Sequence, residues 1–206
     1  MSSATITTSA RLMNSTPQTE EQAMVRKVAV SSFLGNFIEW FDYASYSYFA
    51  TTIALVFFPT DNHTVAMLQT FGVFALSFIL RPIGALFWGS YGDKKGRKAA
   101  LAHSIMFMSG ASFLIGCLPS YSVIGVGAPI LLLLLRMVQG FSASGEYAGA
   151  ATFLGEYAPT SKRGIYCSLI PASTAIGLLV GSTLATVMTA SLSSDALTSW
   201  GWRIPF

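Results

Sequence analysis

The chain has 206 residues, of which 52% are hydrophobic and only 10% charged, with a formal net charge of +3 and a mean hydropathy of +0.56. A soluble domain of this size carries about a quarter charged residues, so most of this surface is unsuited to water. The small net charge excludes an electrostatic nucleic-acid binder. Cys117, Cys167, His63 and His103 are scattered, which gives neither a metal-ligand spacing nor a disulfide framework. No nucleophile–base set and no cofactor loop occurs, so the expectation is a non-enzyme without cofactor or metal.

In chain order, residues 1–27 begin with Ser and Thr and have no apolar core, so they read as a cytoplasmic flexible tail rather than a secretory signal. Apolar runs follow at about 28–58, 65–88, 99–118, 128–153 and 165–192. Between them lie Pro59-Thr60-Asp61-Asn62-His63, the basic stretch Gly92 to Lys98, Pro119-Ser120-Tyr121 and Glu156 to Gly164. The chain closes on Trp200-Gly201-Trp202-Arg203 and a short apolar start at Ile204. A bilayer crossing takes about 20 helical residues, and every run reaches that length. Backbone groups in lipid must be satisfied within the segment, and the alternation of a barrel strand is absent. Residues 28–206 therefore read as an all-α, polytopic membrane bundle.

Loop charge orients the spans. Arg26, Lys27, Lys94, Lys95, Arg97, Lys98, Lys162 and Arg163 fall on one side, and the intervening loops carry no Lys or Arg before Arg203. Positive loops stay cytoplasmic, so the N-terminus is expected inside, with Tyr121, Trp200 and Trp202 near the outer interface.

Five charged residues interrupt the spans: Glu39, Asp42, Arg81, Arg136 and Glu146. A charge near the bilayer centre costs at least ~2.5–3.5 kcal/mol on insertion scales, so such groups face partners or a wet cavity. Counting rise per residue places Glu39 and Asp42 level with Arg136, and Arg81 level with Glu146. Two ion-pair layers are expected on that basis. For Arg81 with Glu146, helix bracing and function stand equal. The other layer holds one carboxylate too many, which favours function. Burial and a nearby guanidinium pull a carboxylate's protonation in opposite directions, so it can be switched by its surroundings.

The spacings Gly145 to Gly149 and Gly177 to Gly181 let helix backbones approach closely, and packing is their first reading. The Gly92 to Lys98 loop lacks a preceding strand and a phosphate-loop signature. Topogenic charge accounts for its basic residues, but not for Gly89, Asp93 and Gly96.

Those residues complete Gly89-x-x-x-Asp93-Lys94-x-Gly96-Arg97-Lys98, which resembles the loop 2–3 signature of the major facilitator superfamily. Arg136-Met-Val-Gln139-Gly140 resembles its helix 4 motif, and Glu156-x-x-Pro159-x-x-x-Arg163-Gly164 its loop 4–5 motif. Gly35-Asn36-Phe37-Ile38-Glu39-Trp40-Phe41-Asp42, Arg81-Pro82-Ile83-Gly84 and Gly201-Trp202-Arg203-Ile204-Pro205-Phe206 are similar to the metabolite:proton symporter family, which carries proline and betaine, 2-oxoglutarate, citrate or shikimate. Gly145-Glu146-Tyr147-x-Gly149-Ala150 and Glu156-Tyr157-x-Pro159 look most like its proline/betaine branch. The resemblance covers about residues 25–206.

It implies the N-terminal six-helix bundle of such a transporter, with five complete transmembrane helices and the start of a sixth. It also implies a bacterial inner (plasma) membrane location, and alternating access with a cavity lined by helices 1, 2, 4 and 5. The Asp93 loop would lock the inward gate. Lipid, protons, a small organic solute and a C-terminal half are the implied partners.

Three functions stay open: a proton symporter for an osmolyte or acid (proline or glycine betaine, with 2-oxoglutarate, dicarboxylate or citrate as the alternative), an antiporter, and a truncated non-transporting fragment. The fifth run lacks an antiporter's Gly-Pro-rich signature, and Pro171 sits in another context, which favours symport.

Overall fold

The computed structural model describes residues 16–144, 151, 154–156 and 158–206, and every regular segment among them is helical. Helix α1 runs Thr16–Tyr48 and continues, past a break at Phe49, as α2, Ala50–Phe57. The break is shallow, because the Phe49 amide still donates to the Ser45 carbonyl at 2.9 Å and the Ile53 amide to the Phe49 carbonyl at 2.8 Å. Helix α1 thus starts well before the apolar run that announces it. Its extension is held by Val25 and Ala29, both buried against Leu154, Ala158 and Ile170.

Asn62 caps α3, His63–Ile79, by accepting from the Thr64 and Val65 amides. The side chain that forms a glycosylation-like tripeptide is therefore a helix N-cap, a role that Asn fills well. Helix α4, Arg81–Lys95, follows after Leu80 alone. Pro82 has no amide to give the Phe78 carbonyl, so the ladder breaks there. Helix α5, Arg97–Gly116, begins after Gly96, followed by a single turn α6, Tyr121–Ile124, and α7, Gly127–Ala143. Helix α8 spans Arg163–Ser191 with Pro171 inside it. The short α9, Ser194–Ser199, and a 3-10 turn, Gly201–Arg203, close the fold.

Three stretches among the described residues are long and apolar enough to cross a membrane: 63–95, 97–116 and 163–191. Their outward faces carry Leu68, Leu86, Phe113, Ile165 and Leu179, all exposed by 65% or more. A soluble monomer does not leave so much large apolar side chain bare, whereas lipid accommodates it without cost. The chain is a multi-pass membrane protein.

Helix α1 lies along α8, α7 contacts α3, α4 and α5, and α5 also touches α1. Glycines set the closest approaches. A Cβ on Gly177 would come within 2.8 Å of the Phe37 carbonyl oxygen, and one on Gly181 within 2.7 Å of the Ala44 Cβ, so that small-residue pair is the α8–α1 seam. The Gly145 and Gly149 pair lies outside the described residues. A core of Tyr46, Phe49, Ile53, Phe57, Leu132 and Trp202 fills the end of the bundle near α9. Trp202, expected at an interface, is instead fully buried, with its ring edge-on to Phe57 at 5.1 Å. Trp200 is the half-exposed member of the pair.

Candidate functional site

Two carboxylates on α1, one turn apart, each meet an arginine from a different helix. Arg136 of α7 forms an ion pair with Asp42, and Arg81 at the start of α4 forms one with Glu39. Of the pairings expected from depth, Asp42 with Arg136 is present and Glu39 with Arg136 is not. Glu39 meets Arg81 in place of Arg136, and the expected pairing of Arg81 with Glu146 lies outside the described residues. The surplus carboxylate expected in one layer does not exist among the described groups. The cause is azimuth. Residues three apart on a helix point about 60° apart around its axis, so Asp42 addresses α7 while Glu39 addresses α4.

The Asp42 pair is sealed. Both side chains are at most 3% exposed, and Gln139 bridges them, accepting from Arg136 Nη1 at 2.9 Å and donating to Asp42 Oδ1 at 3.1 Å. Gln139 Nε2 also donates to Ser112 Oγ at 2.6 Å, and Ser112 in turn donates to Asp42 Oδ1 at 3.3 Å. The Arg136 guanidinium lies 3.9 Å over the Tyr46 ring, a contact that favours a desolvated cation. The Tyr46 hydroxyl donates to the Thr70 carbonyl at 2.9 Å, which fixes the ring. Arg136 Nε and Nη2 remain buried without a hydrogen-bond partner.

The Glu39 pair is more open. Arg81 is 29% exposed although Glu39 is only 3%, and Arg81 also donates to the Tyr43 hydroxyl. Its guanidinium sits 4.9 Å from the Phe78 ring centre. A cavity of about 240 Å³ opens here between α1, α4 and the end of α7, lined by Asn36, Glu39, Trp40, Arg81, Ala143 and Ser144. Asn36 ties α1 to α8 by donating to the Ile170 carbonyl at 3.0 Å and to Ser173 Oγ and Thr174 Oγ1, each at 2.8 Å. Its Oδ1 is buried with no donor, and so is Arg81 Nε with no acceptor.

Residues 27–206 match the family described as sugar (and other) transporter. The chain belongs to that family. This family lies within the major facilitator superfamily, and its members are transporters rather than enzymes. The chain is 41% identical over 186 residues to the proline/betaine transporter of Salmonella typhimurium, covering 90% of this chain and 37% of the relative. The glycine betaine/proline/ectoine/pipecolic acid transporter of Dickeya dadantii gives the same figures. A putative proline/betaine transporter of Staphylococcus aureus is 43% identical over 182 residues, or 88% of this chain and 39% of the relative. The chain therefore spans under two-fifths of the length of these relatives. No solved structure matches it.

In this member of the family, Gly89, Asp93, Lys94, Gly96, Arg97 and Lys98 all sit exposed around the α4–α5 corner. Gly96 has φ 92° and ψ 141°, a backbone region closed to other residues, which explains a glycine there. Lys94 and Lys95 occupy the last turn of α4, where basic groups complement the helix dipole. A Cβ on Gly89 would meet nothing within 4 Å, so packing among the described residues does not explain it. Glu156 and Arg163 are exposed and form no ion pair with each other.

Three participants were not singled out by sequence reasoning. Ser112 gave no signal, since serine is common in membrane helices. Tyr43 and Tyr46 were lost in an aromatic run, although their spacing of three and four residues from Glu39, Asp42 and each other puts them on the charged face.

Proposed function

We propose that the chain forms the N-terminal bundle of a proton-coupled symporter that takes up a small organic osmolyte such as proline or glycine betaine by alternating access. The observation that carries this reading is the pair of buried carboxylates, Glu39 and Asp42, each held by an arginine from another helix, the Glu39 pair lining an open cavity and the Asp42 pair sealed from it. Burying two ion pairs in a membrane bundle is costly and a weak source of stability, so their retention fits a coupling role. Protonating either carboxylate would release its arginine, which links proton occupancy to the packing of α1 against α4 or α7. The names of the relatives support the osmolyte over a dicarboxylate. A C-terminal bundle would supply the other wall of the cavity, and the exposed Asp93 corner would meet it as the inward gate. The N-terminus and the basic loops face the cytoplasm, in a bacterial inner membrane.

The test is uptake of labelled proline, glycine betaine and 2-oxoglutarate into cells producing the full-length carrier, with and without a proton gradient. Osmolyte uptake that collapses with the gradient, and is lost when Glu39→Gln and Asp42→Asn are combined, supports the reading. Gradient-driven uptake that survives both changes sinks the coupling role, and uptake of 2-oxoglutarate alone moves the carrier to the dicarboxylate branch.

A further inference from the structure

The two ion pairs are built differently, and the difference divides their work. Asp42 and Arg136 are closed off by Gln139, Ser112 and the Tyr46 ring, and no cavity-lining residue belongs to that set. Glu39 and Arg81 line the cavity themselves, next to Trp40. The cavity, about 240 Å³ within this bundle, thus presents one acid and one base side by side on its wall.

The geometry points to this cavity as a subsite for a compact zwitterion, with Arg81 taking the carboxylate and Glu39 with the Trp40 ring taking the ammonium. This assignment rests on the reading of the chain as part of an osmolyte carrier. Three observations carry it.

The first is charge balance. Glu39 and Arg81 together are neutral, and both lie within the bundle. A zwitterion can enter by exchange, its carboxylate replacing Glu39 on Arg81 while its cationic end replaces Arg81 on Glu39, so no net charge is added in a medium of low dielectric. A dicarboxylate would bring excess negative charge to Glu39, and a simple cation would bring excess positive charge to Arg81. Each would leave one buried charge unmatched.

The second is the set of unspent polar atoms. Asn36 Oδ1, on a residue only 2% exposed, has no donor, and Arg81 Nε has no acceptor. Buried polar atoms normally find partners. A solute with a carboxylate acceptor suits Arg81 Nε, and an N–H of an amino-acid ammonium suits Asn36 Oδ1.

The third is Trp40. It is partly exposed on the cavity wall, with its ring edge-on to Tyr43 at 5.8 Å. Indole is the strongest ring for holding a cation and serves in the recognition of quaternary ammonium groups. A methylated ammonium offers no N–H, so the ring face is the contact through which it can be held.

The test uses three probes of nearly equal shape: glycine betaine, which is a zwitterion; choline, which keeps the trimethylammonium without the carboxylate; and tert-butylacetate, which keeps the carboxylate without the cation. Uptake of each is measured in the full-length carrier and in Arg81→Gln, Glu39→Gln, Trp40→Leu and Trp40→Phe, with membrane abundance determined in parallel. The parent is expected to prefer glycine betaine. Arg81→Gln should raise KM for glycine betaine at least tenfold and shift preference toward choline, because Glu39 is then unbalanced. Glu39→Gln should shift it toward tert-butylacetate. Trp40→Leu should raise KM for glycine betaine with kcat little changed, and Trp40→Phe should recover most of the loss. If Arg81→Gln does not reach the membrane, the Trp40 pair decides.

A parent that prefers glycine betaine, with variants that keep the parental order of the three probes, overturns the subsite and leaves the carrier reading intact. A parent that prefers choline or tert-butylacetate overturns both.

Discussion

Gly140 of α7 faces the backbone of Ser77 on α3 so closely that a Cβ there would stand 2.0 Å from the Ser77 carbonyl oxygen. The obstacle is main chain, which cannot rotate away as a side-chain tip can. The same helix meets α4 at Gly84, where a Cβ would lie 2.1 Å from the Phe141 carbonyl oxygen. These two contacts bring Arg136 and Arg81 to neighbouring faces of α1, so backbone proximity precedes the charge chemistry.

Gly140→Ala should therefore destabilise the purified carrier by overpacking, a cost of about 1–3 kcal/mol, seen as a lower unfolding temperature in detergent. Gly72→Ala is the control. Its Cβ would meet nothing within 4 Å in the interior of α3, and alanine in a helix gains about 0.5–1 kcal/mol over glycine. Equal effects at the two sites would dismiss the close approach as the reason for Gly140.

Asp42→Asn and Arg136→Gln should each cost about 3–5 kcal/mol, since each leaves a buried charge without its counter-charge. The double variant should cost clearly less than the sum, because the two act as a unit. Unfolding in detergent across this four-member cycle reads the coupling directly. Strict additivity would mean that Gln139 and Ser112, rather than the ion pair, hold the cluster together.

The sequence made the helical spans, the loop charges and the buried ionisable residues legible, because each follows from one-dimensional counts of apolar length and charge placement. Azimuth was not legible. Residue counting put Glu39 and Asp42 at one depth, yet their different facing sent one to Arg81 and the other to Arg136. The Gly177 and Gly181 seam was readable from spacing alone, whereas Gly140 was visible only as part of a motif, and its reason needed the Ser77 carbonyl. Trp202 was misplaced for a related cause. Aromatic residues near a span end are enriched at interfaces, but burial against Phe57 is a tertiary fact.

At the α4–α5 corner, Gly96→Ala should cost about 1–3 kcal/mol, since φ 92° with ψ 141° is open essentially to glycine alone. Lys95→Ala, one residue earlier and exposed, should change stability by less than about 0.5 kcal/mol. If the corner also serves as the inward gate, Gly96→Ala will slow uptake beyond what its lowered abundance explains. Uptake that merely tracks abundance would reduce Gly96 to a structural turn.

Orientation can be tested with cysteine chemistry. Cys117 is exposed where α5 ends, just before a loop without Lys or Arg. The exposed Lys95 closes α4 at the basic corner from which α5 starts, beyond the opposite end of α5. If positive loops remain cytoplasmic, a membrane-impermeant maleimide added to intact cells should label Cys117 in a Cys167→Ser background. It should miss Lys95→Cys in a background lacking both native cysteines until the membrane is permeabilised. The reverse pattern would invert the topology and put the Asp93 corner on the outer face, where it could not close an inward gate. Because α5 connects the two labelling sites through one apolar helix of 20 residues, labelling of both from one side would contradict the crossing itself.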